Sequence, residues 1–212
     1  MLDRLCPPLL PYDRDDDLIK SAKITKLPKI HCYPFNETVI VAGRGSHISQ
    51  EIYMESVKQD HIPVLRRKGG GCSVLLDPGN LIISIAFPAP GFLNINYHFN
   101  KCISWLMKGL KKSGLKNIYK DGISDIVLEN KKIGGTCFQR EKDFAYFSAS
   151  ILVSPDLDLM DKYLQMPLRQ PEYRKGRGHS EFLTTITSVL NKISVADFSV
   201  ILAKNLENIK PE

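Results

Sequence analysis

Asp77-Pro78-Gly79-Asn80 stands between two β-prone runs, residues 72–76 and 81–87. Four residues of this type are a turn, too few for the helix that joins parallel strands, so the spacing predicts an antiparallel hairpin. A second junction of this kind, Asn130-Lys131, separates residues 126–129 from 132–138. Further short strands are expected at 31–35, 38–42, 63–65 and 146–153. Residues 99–115 read as the main helix: Phe99, Cys102, Ile103, Leu106, Met107 and Leu110 fall on one face and Gly114 ends it. Trp105, beside that stripe, is expected to pack at its edge. Shorter helices are expected at 50–59, capped by Ser49, and at 157–164, with a last one from Val195 to about Asn208 capped by Ser194. Strands joined by short turns, with helices between and after them, make an α+β fold: mixed, mainly antiparallel sheets flanked by helices, in one domain spanning residues 1–212.

Composition narrows the function classes. With 43% hydrophobic residues the chain can bury a core. Its longest mostly apolar stretch, 81–93, is broken by Ser84, Pro88, Pro90 and Gly91 and falls short of the ~20 residues of a membrane span. The start carries acids where a secretory signal has a basic head, and the segment 13–17 reads as a solvated arm or first helix. Five scattered cysteines with no Cys-x-x-Cys pair point to free thiols in a cytoplasmic protein, and scattered histidines offer no metal cluster. The net charge of +6 suits an anionic ligand or an acidic partner and is too dispersed to indicate nucleic acid.

Two segments carry candidate chemistry. In Arg66-Arg67-Lys68-Gly69-Gly70-Gly71, three cations precede three glycines; such a loop brings backbone close to a ligand beside charge for phosphate or carboxylate, or it is a flexible hairpin connection. Neither Walker spacing nor a dinucleotide fingerprint is present. In the run from Asp125 to Thr136, strand alternation puts Lys132 on the face of Gly134, with its amine above bare backbone. A cation there can hold a carboxylate against an α-phosphate, and Asp125 can ligate Mg²⁺; alternatively Lys131 and Lys132 are a solvated hairpin turn. Two such segments in one domain suit an elongated anion such as an acyl-adenylate. A third basic segment, Tyr173-Arg174-Lys175-Gly176-Arg177-Gly178-His179-Ser180, reads as a mobile surface loop, or else as a cover for the adenylate or a dock for an acidic domain.

RRKGGGCSVLLDPGN, from Arg66 to Asn80, resembles the RRxSGGGxVxHDxGN signature of lipoate–protein ligases. VIVAGRGSHISQEIY, from Val39 to Tyr53, is similar to the family's strand, Gly-Arg and following acidic position, and GISDIVLENKKIGGTCF to its GxNDLxxxGxKIxGSAF. Order and spacing agree over residues 29–153. Gly69 replaces the family's Ser, Cys72 a third Gly, Leu76 its His and Ser124 its Asn.

The resemblance implies the biotin/lipoate ligase fold and ATP- and Mg²⁺-dependent activation of lipoate or octanoate to an acyl-adenylate. The acyl group would pass to a lysine of an acidic lipoyl acceptor domain, in a 2-oxoacid dehydrogenase acyltransferase subunit or the glycine-cleavage H protein. By position it implies Lys132 as the catalytic lysine and Arg66 and Arg67 as the arginine pair contacting phosphate or lipoyl carbonyl. Gly70 and Gly71 form the glycine loop, and Val74 and Leu75 hold adenine through backbone groups. Asp125 lies near phosphates and metal, and Gly135 lets substrate pass. Arg44, Gly69, Cys72, Asp77, Asn80 and Thr136 complete the implied binding set. Full-length ligases of the family carry a C-terminal accessory domain for which this chain has no room; some members supply it as a separate polypeptide, so the resemblance allows a bipartite ligase. The alternatives are an octanoyl or lipoyl transferase using Cys137 or Cys72 as a thioester nucleophile without ATP, a non-catalytic lipoyl-binding relative and, more weakly, a biotin ligase.

Overall fold

The computed structural model describes residues 9–91 and 95–209; Cys6 lies outside them. Among the described residues ten strands form two sheets. The larger has the order β2 (Lys29–Pro34), β6 (Asn80–Pro88), β10 (Phe144–Leu152), β9 (Lys131–Glu141), β8 (Asp125–Leu128), β7 (Ile118–Asp121), and every neighbouring pair is antiparallel. The smaller has the order β1 (Leu10–Pro11), β4 (Val64–Arg66), β3 (Val39–Ala42), β5 (Val74–Leu76), parallel except for β3–β5. The helices are α1 (Asp16–Thr25), α2 (Ile48–Glu51), α3 (Met54–Gln59), α4 (Ile95–Lys112), α5 (Asp158–Tyr163), α6 (His179–Phe182) and α7 (Val195–Glu207). Among the described residues no helix is long and apolar enough to cross a membrane. The expected α+β class holds.

The large sheet buries one face under α4 and α7, because the odd-numbered residues of β6 and β10 (Leu81, Ile83, Ile85, Phe147, Ala149, Ile151) are all apolar and share that face. Trp105 is fully buried there rather than at an edge, and its indole N–H donates to the Leu206 carbonyl at 3.3 Å. Ser194 caps α7 by accepting from the Asp197 N–H at 3.0 Å, as its spacing predicts. On the other face the acidic segment leads into α1, the first-helix reading, with Asp13, Asp16 and Asp17 exposed. Asp15 is buried, and its carboxylate accepts from the Ser84 and Tyr146 hydroxyls at 2.7 and 2.6 Å.

Three expectations are corrected. The runs on either side of Asp77-Pro78-Gly79-Asn80 are not a hairpin: β5 belongs to the small sheet and β6 to the large one, so this turn carries the chain between sheets. The Asp77 carboxylate accepts from the Gly79 and Asp156 N–H groups at 2.8 and 2.7 Å, and a Cβ on Gly79 would meet backbone at Pro155 at 2.2 Å. These contacts tie the turn to the segment after β10 instead of folding β6 back on β5. The helix expected at 50–59 is two short helices. Ile52 between them is extended, bridges to Leu164 and is buried, which stops α2 inside its second turn; Ser49 lies within α2 and caps nothing. Lastly, the turn between β8 and β9 is Glu129-Asn130, both at positive φ, and Lys131 already pairs with Leu128.

Candidate functional site

Lys132, the second residue of β9, stands opposite Val127, and a β-bulge follows, since Ile126 pairs with Gly134 and Ile133 is the extra residue. The bulge changes which residues share a face. Ile133 is fully buried, and a Cβ on Gly134 would strike Ile151 and the Ser150 carbonyl, so that glycine faces the core. Lys132 therefore does not stand over Gly134, as strict alternation predicts, but over Gly135: a Cβ there would lie 3.4 Å from Nζ. The amine still sits above bare backbone, and it pairs with Asp125 Oδ1 at 2.8 Å. The other Asp125 oxygen accepts from the Tyr173 hydroxyl at 2.9 Å. Thr136 anchors the strand, its N–H and hydroxyl both donating to the Ser124 carbonyl, so its side chain is spent on structure.

The glycine loop leaves β4 and returns to β5. Every one of its carbonyls from 69 to 72 is held. Gly69 O accepts from the Arg44 N–H at 2.9 Å, Gly70 O from Arg67 Nη2 at 2.8 Å, Gly71 O from Ser46 Oγ at 3.3 Å and Cys72 O from Arg67 Nη2 at 2.8 Å. In a trans peptide the next N–H points opposite to its carbonyl. The amides of Gly70, Gly71 and Cys72 are thereby turned away from these anchors, the arrangement an anion cradle needs. The Ser73 N–H is taken by Glu51 Oε2 at 2.6 Å.

Arg67 and one nitrogen of Arg66 are engaged by the protein's own backbone. Arg66 Nη1 donates to the carbonyls of Gly43, Arg44 and Ser46, and Arg67 uses Nε, Nη1 and Nη2 on Gly70, Val41 and Cys72. They shape the loop and place positive charge behind it. Replacing Arg67 with lysine keeps the charge and loses the fork. A lowering of stability by about 2–3 kcal/mol is expected, read as a fall in the urea midpoint with unchanged slope.

The two segments meet. Gly69 lies on Cys137, whose sulfur would be 3.1 Å from a Cβ at that glycine, and Lys132 and Arg67 both act electrostatically on Cys72. Burial pushes the thiols of Cys72 and Cys137 up from their usual range. Val74 and Leu75 lie on β5, an edge of the small sheet, with Leu75 in the core. The Asp77 carboxylate is used in the turn, and Asn80 Oδ1 accepts from the Asp77 N–H at 2.9 Å, while Asn80 Nδ2 is buried without a hydrogen-bond partner among the described residues. Arg44 is exposed beside the loop.

The basic segment from 173 to 180 is not a bare surface loop. A 3₁₀ turn, Glu172–Arg174, seats Tyr173 and Arg174 against Phe182 of α6, with Tyr173 reaching Asp125. His179 Nδ1 meets Asp161 Oδ1 at 3.0 Å, while burial and the nearby Arg174 and Lys132 charges lower its pKa. Tyr173 and Glu51 lie outside the glycine and lysine motifs; the acid in the Val39–Tyr53 block is the one signal that pointed to Glu51.

Among the described residues no three His, Cys, Asp or Glu side chains gather as a metal site. The carboxylates on hand are Asp125 and, directly across from it, Asp121. That set fits a Mg²⁺ held mainly by a nucleotide's phosphates, the usual situation for that ion.

A family model described as the lipoyl protein ligase A/B catalytic domain matches residues 7–207. Lipoate–protein ligase 1 of Plasmodium falciparum is 27% identical over 158 residues, covering 70% of this chain and 36% of that protein. A structure of lipoate–protein ligase A bound with ATP superposes with a TM-score of 0.76 at 21% identity, over 92% of this chain and 77% of the other. The bipartite lipoate–protein ligase of Thermoplasma acidophilum, described with its E2 lipoyl domain, gives 0.74 at 19% identity over 94% and 81%. The chain spans about a third to a half of the length of the curated relatives it matches.

Proposed function

Because this chain belongs to the family of lipoyl protein ligase A/B catalytic domains, we propose that it activates lipoate with ATP to lipoyl-AMP and supports transfer of the lipoyl group to a lysine of a lipoyl acceptor domain. The observation that carries this reading is the Lys132–Asp125 pair, with the Lys132 amine over the bare backbone of Gly135, beside the glycine loop. Joining a carboxylate to an α-phosphate brings two anions together, and a fixed cation between them lowers that barrier. Lys132 is that cation. A lipoate carboxylate oxygen attacks the α-phosphorus and pyrophosphate leaves; the acceptor amine then attacks the acyl carbon and AMP leaves.

The outward-turned amides of the glycine loop serve the bound anion, and Arg66 and Arg67 act by holding those amides in place. Mg²⁺, when bound, neutralises phosphate charge, and Asp125 is the carboxylate that would hold it. The acceptor class in view is the lipoyl domain of a 2-oxoacid dehydrogenase acyltransferase or the glycine-cleavage H protein, with a separate accessory polypeptide as a further partner.

The test is lipoate-dependent exchange of pyrophosphate into ATP, run beside octanoate and biotin, with and without a candidate accessory polypeptide. Exchange with lipoate supports the reading; none under any condition sinks it. The raised pKa values of Cys72 and Cys137 count against a thioester route, since a neutral thiol is a poor nucleophile. Cys72→Ser and Cys137→Ser are therefore expected to keep transfer within about threefold of wild type. A covalent acyl-enzyme seen by mass spectrometry and lost in either variant would reverse that conclusion.

A further inference from the structure

The geometry points to Arg174 as an oxyanion-binding residue of this site, one whose Nη2 lacks a partner until a nucleotide phosphate reaches it. The inference rests on the adenylating reading above and adds a residue outside the glycine and lysine motifs.

Arg174 is 4% exposed, and its Nη2 makes no hydrogen bond among the described residues. Four other cations near it have partners within the protein. Lys132 pairs with Asp125, and Arg66 and Arg67 hold loop carbonyls. Arg177 donates from Nη2 to the carbonyls of Asn130 and Tyr173, and from Nε to that of Arg174. Arg174 itself makes one hydrogen bond of this kind, from Nε to the Arg177 carbonyl at 2.9 Å, and its guanidinium lies 4.6 Å from the centre of the Phe182 ring. Stacking accounts for the plane of the group and leaves the Nη2 hydrogens unused.

A buried charged donor without a partner is costly, and native structures carry few of them. If packing alone were needed, methionine or leucine would fill the space without that cost. Burial also depresses the Arg174 pKa from its usual value, whereas the nearby Tyr173 hydroxyl and the Asp125 and Asp161 carboxylates oppose the shift. The guanidinium thus already shares an electrostatic environment with the Lys132–Asp125 pair.

Its position explains how it can serve that pair. Residues 173–177 form a strap tied to the β8–β9 hairpin at two places: Tyr173 to Asp125 at the start of β8, and Arg177 to the Asn130 carbonyl in the turn. Lys175 and Gly176, at φ of 51° and 72°, turn the strap so that the side chains of 174 and 177 both lie over Phe182. The Phe182 ring under Arg174 adjoins Leu183, which bridges to Lys132, and a planar guanidinium fork is a donor set that binds phosphate oxygens in two places. A carboxylate is the other oxyanion the proposed reaction supplies, and the experiment separates the two.

The full chain is titrated calorimetrically with Mg·ATP, with pyrophosphate and with lipoate, as wild type, Arg174→Gln and Arg174→Lys. For Arg174→Gln the Kd for Mg·ATP and pyrophosphate is expected to rise about tenfold or more, with lipoate affinity unchanged and the urea midpoint equal or higher. Arg174→Lys, which keeps the charge and the stem, is expected to recover part of the loss. A rise for lipoate alone keeps the oxyanion role and makes the carboxylate its ligand. Unchanged affinities with a raised midpoint, or loss of folding in both variants, overturn the inference. If wild type binds ATP through Arg174 and yet shows no exchange with any acid, it is the proposed function that fails.

Discussion

Lys132→Ala is expected to lower lipoate-dependent ATP–pyrophosphate exchange by about 10³-fold. Removing one fixed donor from a developing negative charge commonly costs 10²–10³-fold, and here the donor carries a full charge and faces two anions. The variant also strips Asp125 of its ion pair. Losing one partner of a fully buried pair costs about 3–5 kcal/mol. Water already reaches Lys132, which is 26% exposed at its side chain, and Asp125 keeps its Tyr173 hydrogen bond. A stability loss of about 1–2 kcal/mol is therefore expected, too small to unfold the chain at 25 °C. Lys132→Arg separates charge from geometry: the urea midpoint should return toward wild type while exchange stays at least about tenfold down, because the longer fork cannot occupy the space over Gly135. Wild-type exchange in Lys132→Ala would remove this residue from the reaction and with it the proposed mechanism.

Gly43→Ala is expected to be the most damaging single-methyl change near the glycine loop. A Cβ at residue 43 would lie 1.8 Å from the Gly71 carbonyl oxygen and 2.9 Å from its carbon. Both are backbone atoms, so no rotamer relieves the clash. Gly71 itself is held at φ 95° with Arg67 Nη2 against it, so the loop cannot retreat without giving up Arg67 and Ser46. A loss of about 3 kcal/mol or more follows, together with a raised KM for ATP. Gly70→Ala is the control, since a Cβ there meets nothing within 4 Å. Its urea midpoint should stay within about 0.5 kcal/mol of wild type. Equal midpoints for the two variants would mean that the loop does not rest on Gly43.

The parts legible from sequence are those set by local periodicity and by short spacing. The α4 stripe, the Ser194 cap and the closeness of Asp125 to Lys132 all follow from residues a few positions apart. The parts that were not legible depend on a third partner distant in the chain. Nothing in Lys-Lys-Ile-Gly-Gly announces that Ile133 will be accommodated as an extra residue; that is decided by Ile151 and Ser150 closing on Gly134 from β10. Arg66 and Arg67 read as ligand contacts because arginine suits phosphate, but carbonyls of 41–46 from the adjacent strand and turn claim them first. Tyr173 and Arg174, more than forty residues beyond Lys132, join the site only because the strap folds back over the hairpin. The turn at 77–80 read as a hairpin since its residues are turn residues, and only Asp156 and Pro155, supplied from beyond β10, send β6 into the other sheet.

That turn also decides where the molecule can yield. Asp77 and Asn80 brace it by side-chain hydrogen bonds in three places, so it is a welded elbow and not a hinge. A push on the glycine loop therefore cannot be absorbed downstream by swinging β5 against β6. Any displacement caused by an incoming ligand has to be taken up upstream, by the Arg67 and Ser46 contacts. Those few donors act as the spring of the loop, and their stiffness sets how far its amides travel.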